Sequence, residues 1–277
     1  AVLFDRLSIT ADYFKEKRYD ILTMPYDVLP SFVGFKRPEL NIGRVSNQGF
    51  EAVVRYTGKE TKDLTWFVEA SAWFARNKIL YNAEAPQNYA YQYRTGHRVD
   101  QPFLLEALGF FNDQNEIDSS PKQTFAAVQP GDLKYADLSG PNGVPDGKID
   151  SYDKTDIGWS APRYMFGLDF SGEYKGFDFR VFFQGVGKRD EFIYGGIVLN
   201  PTSKSLLEDR WNPERSVQEN LAHAKLPRYV NGQQNNYEIS DFYVKSAAYL
   251  RLKNLQLGYT LPKNWTRKIC FEKVRFS

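Results

Sequence analysis

The stretch Tyr164-Met-Phe-Gly-Leu-Asp-Phe-Ser-Gly-Glu-Tyr174, followed by Lys175-Gly176 and then Phe177-Asp-Phe-Arg-Val-Phe-Phe-Gln184, decides the fold class. In its first half Tyr164, Phe166, Leu168, Phe170 and Tyr174 occupy even positions, against Met165, Gly167, Asp169, Ser171 and Glu173. After the break the odd positions Phe177, Phe179, Val181 and Phe183 oppose Asp178, Arg180, Phe182 and Gln184. Successive side chains on a strand point to opposite faces, so this period of two predicts two half-apolar strands. Lys175-Gly176 between them is the length of a two-residue hairpin turn.

Working outward, the same parity recurs. Leu7, Ile9, Ala11 and Tyr13 alternate with Arg6, Ser8, Thr10 and Asp12. Phe50, Ala52, Val54 and Tyr56 alternate with Glu51, Val53 and Arg55. Leu64, Trp66, Val68, Ala70, Ala72 and Phe74 alternate with Thr65, Phe67, Glu69, Ser71 and Trp73. A sixth segment, 249–259, changes phase: Leu250 and Leu252 are even, Leu255, Leu257 and Tyr259 odd, with Lys253-Asn254 between. A one-residue bulge there restores a single apolar face. A seventh strand is expected from near Cys270. The connections alternate: residues 22–43, 77–162 and 188–246 are long, whereas 57–63, 175–176 and 262–269 are short. All large loops therefore fall on one edge of the sheet.

Composition narrows the classes. Against 36 Lys+Arg stand 34 Asp+Glu, a net charge of +2, which leaves no basic footprint for nucleic acid. Aromatic residues reach 16% although mean hydropathy is −0.53, as expected of apolar residues diluted one-for-one by polar ones. A single cysteine, Cys270, excludes an internal disulfide framework and a cysteine-based zinc site. Parity alone fits both a soluble sandwich and a membrane barrel. Apolar alternation over about 9–12 residues and loops confined to one edge favour the barrel, whose strands are long and whose extracellular loops exceed its periplasmic turns. A basic residue facing lipid near the midplane costs about 2–4 kcal/mol. Arg6, Asp12, Glu51, Arg55, Glu69, Asp169, Glu173, Asp178 and Arg180 all share the non-aromatic parity, so that face is assigned to the lumen.

Longer motifs carry a resemblance. They are Pro130-Gly-Asp-Leu-Lys-Tyr-Ala-Asp137, Asp146-Gly-Lys-Ile-Asp150 with Asp153, Ile157-Gly158, Pro162-Arg-Tyr164, Tyr174-Lys-Gly-Phe-Asp178, Phe182-Phe-Gln-Gly185, Ala248-Tyr-Leu-Arg-Leu-Lys-Asn254 and Gly258-Tyr-Thr-Leu-Pro262. Asn47-Gln-Gly-Phe-Glu51 adds a strand start. In this order and spacing the chain resembles the C-terminal part of SusC/RagA-type TonB-dependent outer-membrane transporters of Bacteroidota. The resemblance implies an all-β fold: antiparallel strands forming part of a transmembrane barrel of about 22 strands, a size whose lumen is plugged. Residues 1–277 would be about seven late strands, with the plug domain, TonB box, signal peptide and last strand lying outside them. It further implies outer-membrane localisation among lipid, a SusD-like surface lipoprotein on the loops, energy through TonB, and homodimers of SusCD pairs. The cargo would be oligosaccharide or peptide.

Candidate site residues lie in the loops. The resemblance implies a calcium-type acidic loop, here Asp137, Asp146, Asp150 and Asp153, as alternate oxygens around one hard cation. Five extra residues, 141–145, interrupt it. Counting back from Asp153 places Asn142 and Val144 at the first two ligand positions, and Val144 cannot ligate. Carboxylates capping their own loop backbone are the reading that prevails over Ca2+. Tyr89, Tyr91 and Tyr93, near Gln87, Asn88, Gln92 and Arg94, form an aromatic and amide cluster suited to sugar faces or peptide backbone, and on an extended segment they would share one face. Packing of the loop on itself or on a partner is the competing explanation, and Trp159 has the same standing. His97 and His223 have neither an i+4 partner nor a nearby Cys, and no Ser/His/Asp order or HExxH occurs, so nothing supports an enzyme. Tyr13, Tyr56, Tyr174, Tyr259 and Trp265 are expected to form interfacial aromatic girdles. The alternative function is a soluble, calcium-dependent β-sandwich that presents the tyrosine loop to glycans.

Overall fold

The computed structural model describes residues 2–3, 6–25, 38–58, 60–139, 144–193, 204–229 and 235–277. Along the chain come β1 (Val2–Leu3), β2 (Leu7–Thr23), β3 (Leu40–Thr57) and β4 (Leu64–Tyr81). The long connection after β4 carries β5 (Phe103–Leu105), β6 (Ala107–Phe110), β7 (Lys122–Gln123), β8 (Leu133–Tyr135), β9 (Lys148–Ile149) and β10 (Lys154–Asp156). Then follow β11 (Tyr164–Tyr174) and β12 (Phe177–Gly187), a second long connection with β13 (Asp190–Phe192) and β14 (Val244–Ser246), and finally β15 (Tyr249–Thr260) and β16 (Arg275–Phe276). One eight-stranded sheet runs in the order β1-β2-β3-β4-β11-β12-β15-β16, each strand antiparallel to its neighbour.

The register lines the apolar positions up across six strands. Ala11 faces Ala52, Ala52 faces Ala72 and Ala72 faces Phe166. Further along, Leu168 faces Phe183, which faces Leu252. The phase change in β15 is a bulge: Phe182 pairs with Asn254 and Phe183 with Leu252, leaving Lys253 as the extra residue. At the β11–β12 turn Lys175 and Gly176 both have positive φ, 50° and 86°, the backbone of a type I′ hairpin. A side chain at Gly176 would also meet the Thr260 carbonyl at 2.7 Å.

Three expectations need revision. β2, β3 and β4 run to 17, 18 and 18 residues, well past the apolar alternation. Backbone pairing continues there while the side chains turn polar, so a reading based on apolar parity stops too early. The last strand pairs only at Arg275–Phe276, because Cys270 ends a 3-10 turn with φ 59° and the chain crosses residues 271–274 before it rejoins the sheet. The sandwich alternative is overturned, since it requires a second sheet over the aromatic face. Among the described residues none lies there: Phe166 is 43% exposed, Leu168 40%, Leu250 66% and Leu257 70%.

The tightly packed core sits instead in the connections. Leu105, Leu133, Tyr135, Ile149 and Tyr243 are buried together, flanked by Phe110, Phe125, Tyr237 and Phe242. Short ribbons build this cap: β5 with β10, β6 with β8, β7 with β9 and β13 with β14. A buried polar network ties its two halves. Gln123 Nε2 donates to Asn235 Oδ1 at 2.7 Å, the Leu133 N–H to Asn236 Oδ1 at 2.8 Å, and Asn236 Nδ2 to Asp132 at 2.8 Å. Arg228 grips the fully buried Asp132 with two bonds, 2.7 and 2.9 Å. Such a network is stabilising because its members are satisfied.

Candidate functional site

The tyrosine segment is a closed loop. Glu84 accepts from the Arg94 and Thr95 backbone N–H groups and from the Thr95 hydroxyl, each at 2.6 Å, and so fastens its neck. Within it, residues Ala90–Gln92 form a 3-10 turn rather than the extended run expected from the alternation. Tyr89 and Tyr91 stack all the same, 5.6 Å apart and 6° from parallel, and Tyr152 meets Tyr89 edge-on at 5.4 Å. Asn88 Nδ2 donates to the Tyr152 hydroxyl at 2.9 Å, and the Tyr91 hydroxyl donates to the Tyr152 carbonyl. Tyr93 turns back and accepts from the Gln87 N–H at 3.1 Å. Burial raises the pKa of Tyr89 and of Tyr91; the carboxylates of Asp150 and Asp153 add to the effect at both and that of Asp146 at Tyr89, while a hydrogen bond with Ser139 opposes it at Tyr91.

Tyr152 belongs to the acidic loop, so the two candidate segments pack on each other. There each carboxylate meets backbone. Asp137 accepts from the Asp146 and Gly147 N–H groups, Asp146 from Lys148 and Asp150 from Tyr152. Asp153, 1% exposed, accepts from Leu138, Ser139 and Asp150. Among the described residues no three His, Cys, Asp or Glu side chains converge on a point that could hold a metal ion, and Asn142 lies outside those residues.

Trp159 occupies a different place. Its ring lies 5.1 Å from the Arg98 guanidinium, and its backbone exchanges hydrogen bonds with Asp190, 3.1 and 2.8 Å. It lines an apolar cavity of about 370 Å3 with Phe103, Leu104, Ile157, Phe192 and Val244, between the two long connections. A larger cavity, about 710 Å3, opens at the loop end of β2–β4 and is lined by Arg44, Ile79, Tyr81, Gln87 and Arg94. The structure thus brings Gln87 and Arg94 of the aromatic-amide cluster to a cavity wall, but not the three tyrosines, and it keeps Trp159 apart from them. Sequence reasoning missed Tyr152 and Glu84, one the third ring of the cluster and the other its clasp. The alternation of Leu133 and Tyr135 inside the Pro130–Asp137 motif was a usable signal for the cap core.

On the sheet's ionic face three ion pairs link its strands. Arg180 Nε lies 2.9 Å from Asp169, Arg275 Nε 2.9 Å from Asp178 and Arg55 3.8 Å from Glu69. The opposite face ends in aromatic rows at both edges. Toward the long connections Phe50 stacks on Phe74 at 5.6 Å and Phe74 lies 5.0 Å from Tyr164. Toward the short turns Tyr56 lies 5.8 Å from Trp66, and Phe177 4.4 Å from Tyr259.

No protein-family model matches the chain. It is 27% identical over 298 aligned residues to TonB-dependent receptor P3 of Formosa agariphila, covering 99% of this chain and 27% of the relative. It is 26% identical over 237 residues to TonB-dependent receptor SusC of Bacteroides thetaiotaomicron, covering 81% of this chain and 21% of SusC. In fold it is similar to a chain of the RagAB peptide importer in its open-open state, with a TM-score of 0.69 at 16% identity, over 98% of this chain and 28% of that one. The chain spans about a quarter of the length of the curated relatives it matches. Along nearly its whole length the chain is thus similar in sequence to TonB-dependent receptors, SusC among them, and its sheet is similar in fold to part of the RagAB importer chain.

Proposed function

We propose that the chain is an arc of the C-terminal barrel of an outer-membrane importer of SusC type, one that takes up oligosaccharides or peptides into the periplasm. The single observation that carries this is the uncovered apolar face of the sheet, bounded by an aromatic row at each edge and backed by an ionic face with ion pairs between its strands. From Tyr164 to Tyr174 β11 takes ten steps between those rows. At about 3.3 Å per step and a tilt of about 40°, they lie some 25 Å apart in height, the thickness of an outer-membrane apolar band. Tyr13, Tyr56, Tyr174, Tyr259 and Trp265 would then sit at headgroup level.

In the whole importer this arc supplies wall and cap to a barrel of about 22 strands, with a plug in the lumen. A SusD-like lipoprotein closes over the folded connections, and TonB supplies force through the plug. Tyr89, Tyr91, Tyr93 and Trp159, with the Gln87–Arg94 cavity wall, are the residues we assign to ligand contact. The chemistry is capture and release, and needs no covalent step.

The membrane reading is tested by unfolding the whole receptor from phospholipid bilayers in guanidinium. Leu168→Arg puts a cation at mid-depth on the apolar face and is expected to cost about 2–4 kcal/mol. Ser71→Arg, on the ionic face between Val53 and Gly167 in register, is expected to cost under about 1 kcal/mol. Equal costs at the two positions would defeat the assignment of faces.

A further inference from the structure

Above the loop-side aromatic row the outward face changes from apolar to basic. The row Tyr13, Phe50, Phe74 is followed two residues on by Lys15, Gln48, Arg76 and then by Lys17, Ser46, Lys78. The register is unbroken from Leu7 to Arg18 in β2 and across Val45–Thr57 of β3 and Phe67–Ile79 of β4, so all three rows project from one face. Neighbouring strands lie about 4.8 Å apart and alternate residues about 6.8 Å, so four cations stand at the corners of a patch about 10 by 7 Å. The Gln48 amide and Ser46 hydroxyl lie between them. The patch forms the floor of a cavity of about 490 Å3, to which the 96–101 segment adds His97 and Arg98. That segment is held beside β4 by hydrogen bonds between Ile79 and both Gly96 and His97, 2.9 and 2.8 Å. The one carboxylate in the lining, Asp156, lies 3.7 Å from the His97 imidazole. Among the described residues no ion pair or hydrogen bond engages the side chain of Lys15, Lys17, Arg76 or Lys78; the Ser46 hydroxyl donates to the Lys78 backbone carbonyl at 3.5 Å. On the opposite face at the same height Arg18 is paired with Glu16 at 2.8 Å.

We propose that this patch binds the phosphomonoester of a lipid headgroup in the leaflet on the loop side of the membrane. The proposal rests on the membrane reading above and adds a ligand to a surface that reading leaves bare. Height is the first argument. Rows two and four residues beyond the aromatic girdle stand about 5 and 10 Å above the hydrocarbon edge at a 40° tilt, within and just above a headgroup layer about 5–8 Å deep. Charge is the second. Five cations against one carboxylate on an open wall repel one another unless an anion sits among them, and a phosphomonoester brings close to two charges and three acceptor oxygens. Direction is the third: the patch points away from the ionic face, so a soluble ligand passing through the lumen does not meet it. The acyl chains of a lipid held there would lie directly on Tyr13, Phe50 and Phe74.

The test uses the whole receptor, purified from its native membrane and placed in phosphatidylcholine nanodiscs doped with lipid A or with enzymatically dephosphorylated lipid A. Native mass spectrometry should show retained lipid A on the wild type, at least about tenfold more than the dephosphorylated form, given roughly fivefold per basic side chain at an anionic surface. Lys15→Gln/Lys17→Gln/Arg76→Gln/Lys78→Gln should lose that preference, and the milder Lys15→Gln/Lys17→Gln pair should lose part of it. Arg18→Gln, on the opposite face, should leave it intact. Heat-modifiable gel mobility reports separately that each variant still forms a barrel. Equal retention of both lipids, or retention unchanged in the quadruple variant, overturns the proposal. Displacement of lipid A by an equal concentration of inorganic phosphate also overturns it, in favour of a free-anion site. Recovery of the wild-type receptor without detergent would overturn the membrane reading itself, and is read before any lipid is added.

Discussion

Asp132 shows how single residues hold the cap. It is fully buried, 96 positions from Arg228, and it also receives the Asn236 amide and the Gln129 N–H. Removing one partner of a buried pair leaves the other charge uncompensated, which costs about 3–5 kcal/mol. Asp132→Ala is therefore expected to raise amide exchange throughout β6, β8 and the Asn235–Tyr237 turn while exchange in β11 and β12 stays slow. Uniform protection in the variant would show that Arg228 finds another partner. The sequence does display Asp132 in its motif, but its partner lies in the other long connection, and no local spacing links the two. The tyrosines were half legible for a similar reason. Their identity and clustering are written in the chain, whereas the ring that completes them, Tyr152, arrives from 61 residues away.

At the scale of strands, parity is a dependable guide wherever one face meets apolar surroundings and the other does not. β11, β12 and β15 begin at the residues the alternation marks, and the bulge at Lys253 falls where the phase changes. Parity fails above Tyr13 and Phe74, where both faces are polar and the side chains no longer report the pleat. The bulge gives a sharp expectation. Deleting Lys253 brings Leu252 next to Asn254 and yields a regular strand with every apolar side chain still outward, so the receptor should fold and keep its heat-modifiable mobility. Deleting Arg251 reverses the faces of Leu250 and Tyr249 relative to the rest and should abolish that mobility. A Lys253 deletion as damaging as the Arg251 deletion would mean that the bulge itself, through the twist it adds, is required.

At the scale of the whole chain, an open sheet and a folded cap divide the work. The sheet has no core of its own among the described residues, and the cap has one but lies entirely at one edge. The long connections were legible as long; that they fold was not, because their hydrophobic residues are spread over short ribbons without a sustained period. If the cap gathers ligand, deleting residues 89–93 should weaken binding of the cargo by about tenfold, the usual scale for losing an aromatic contact. Barrel assembly should be unaffected, since both ends of the clasp, Glu84 and Arg94-Thr95, lie outside the deletion and the sheet lies below it. Unchanged affinity would move the ligand site to the cavity beside Trp159 or to other parts of the receptor. The division between sheet and cap also fixes an order of biogenesis. Tyr135 and Leu133 have to wait for Asn235 and Asn236, which lie 100 and 103 residues later, beyond the long strands β11 and β12. Neither half can hide its polar groups without the other, so the rim sets only after both segments have been made, and until then a protease would find it unguarded.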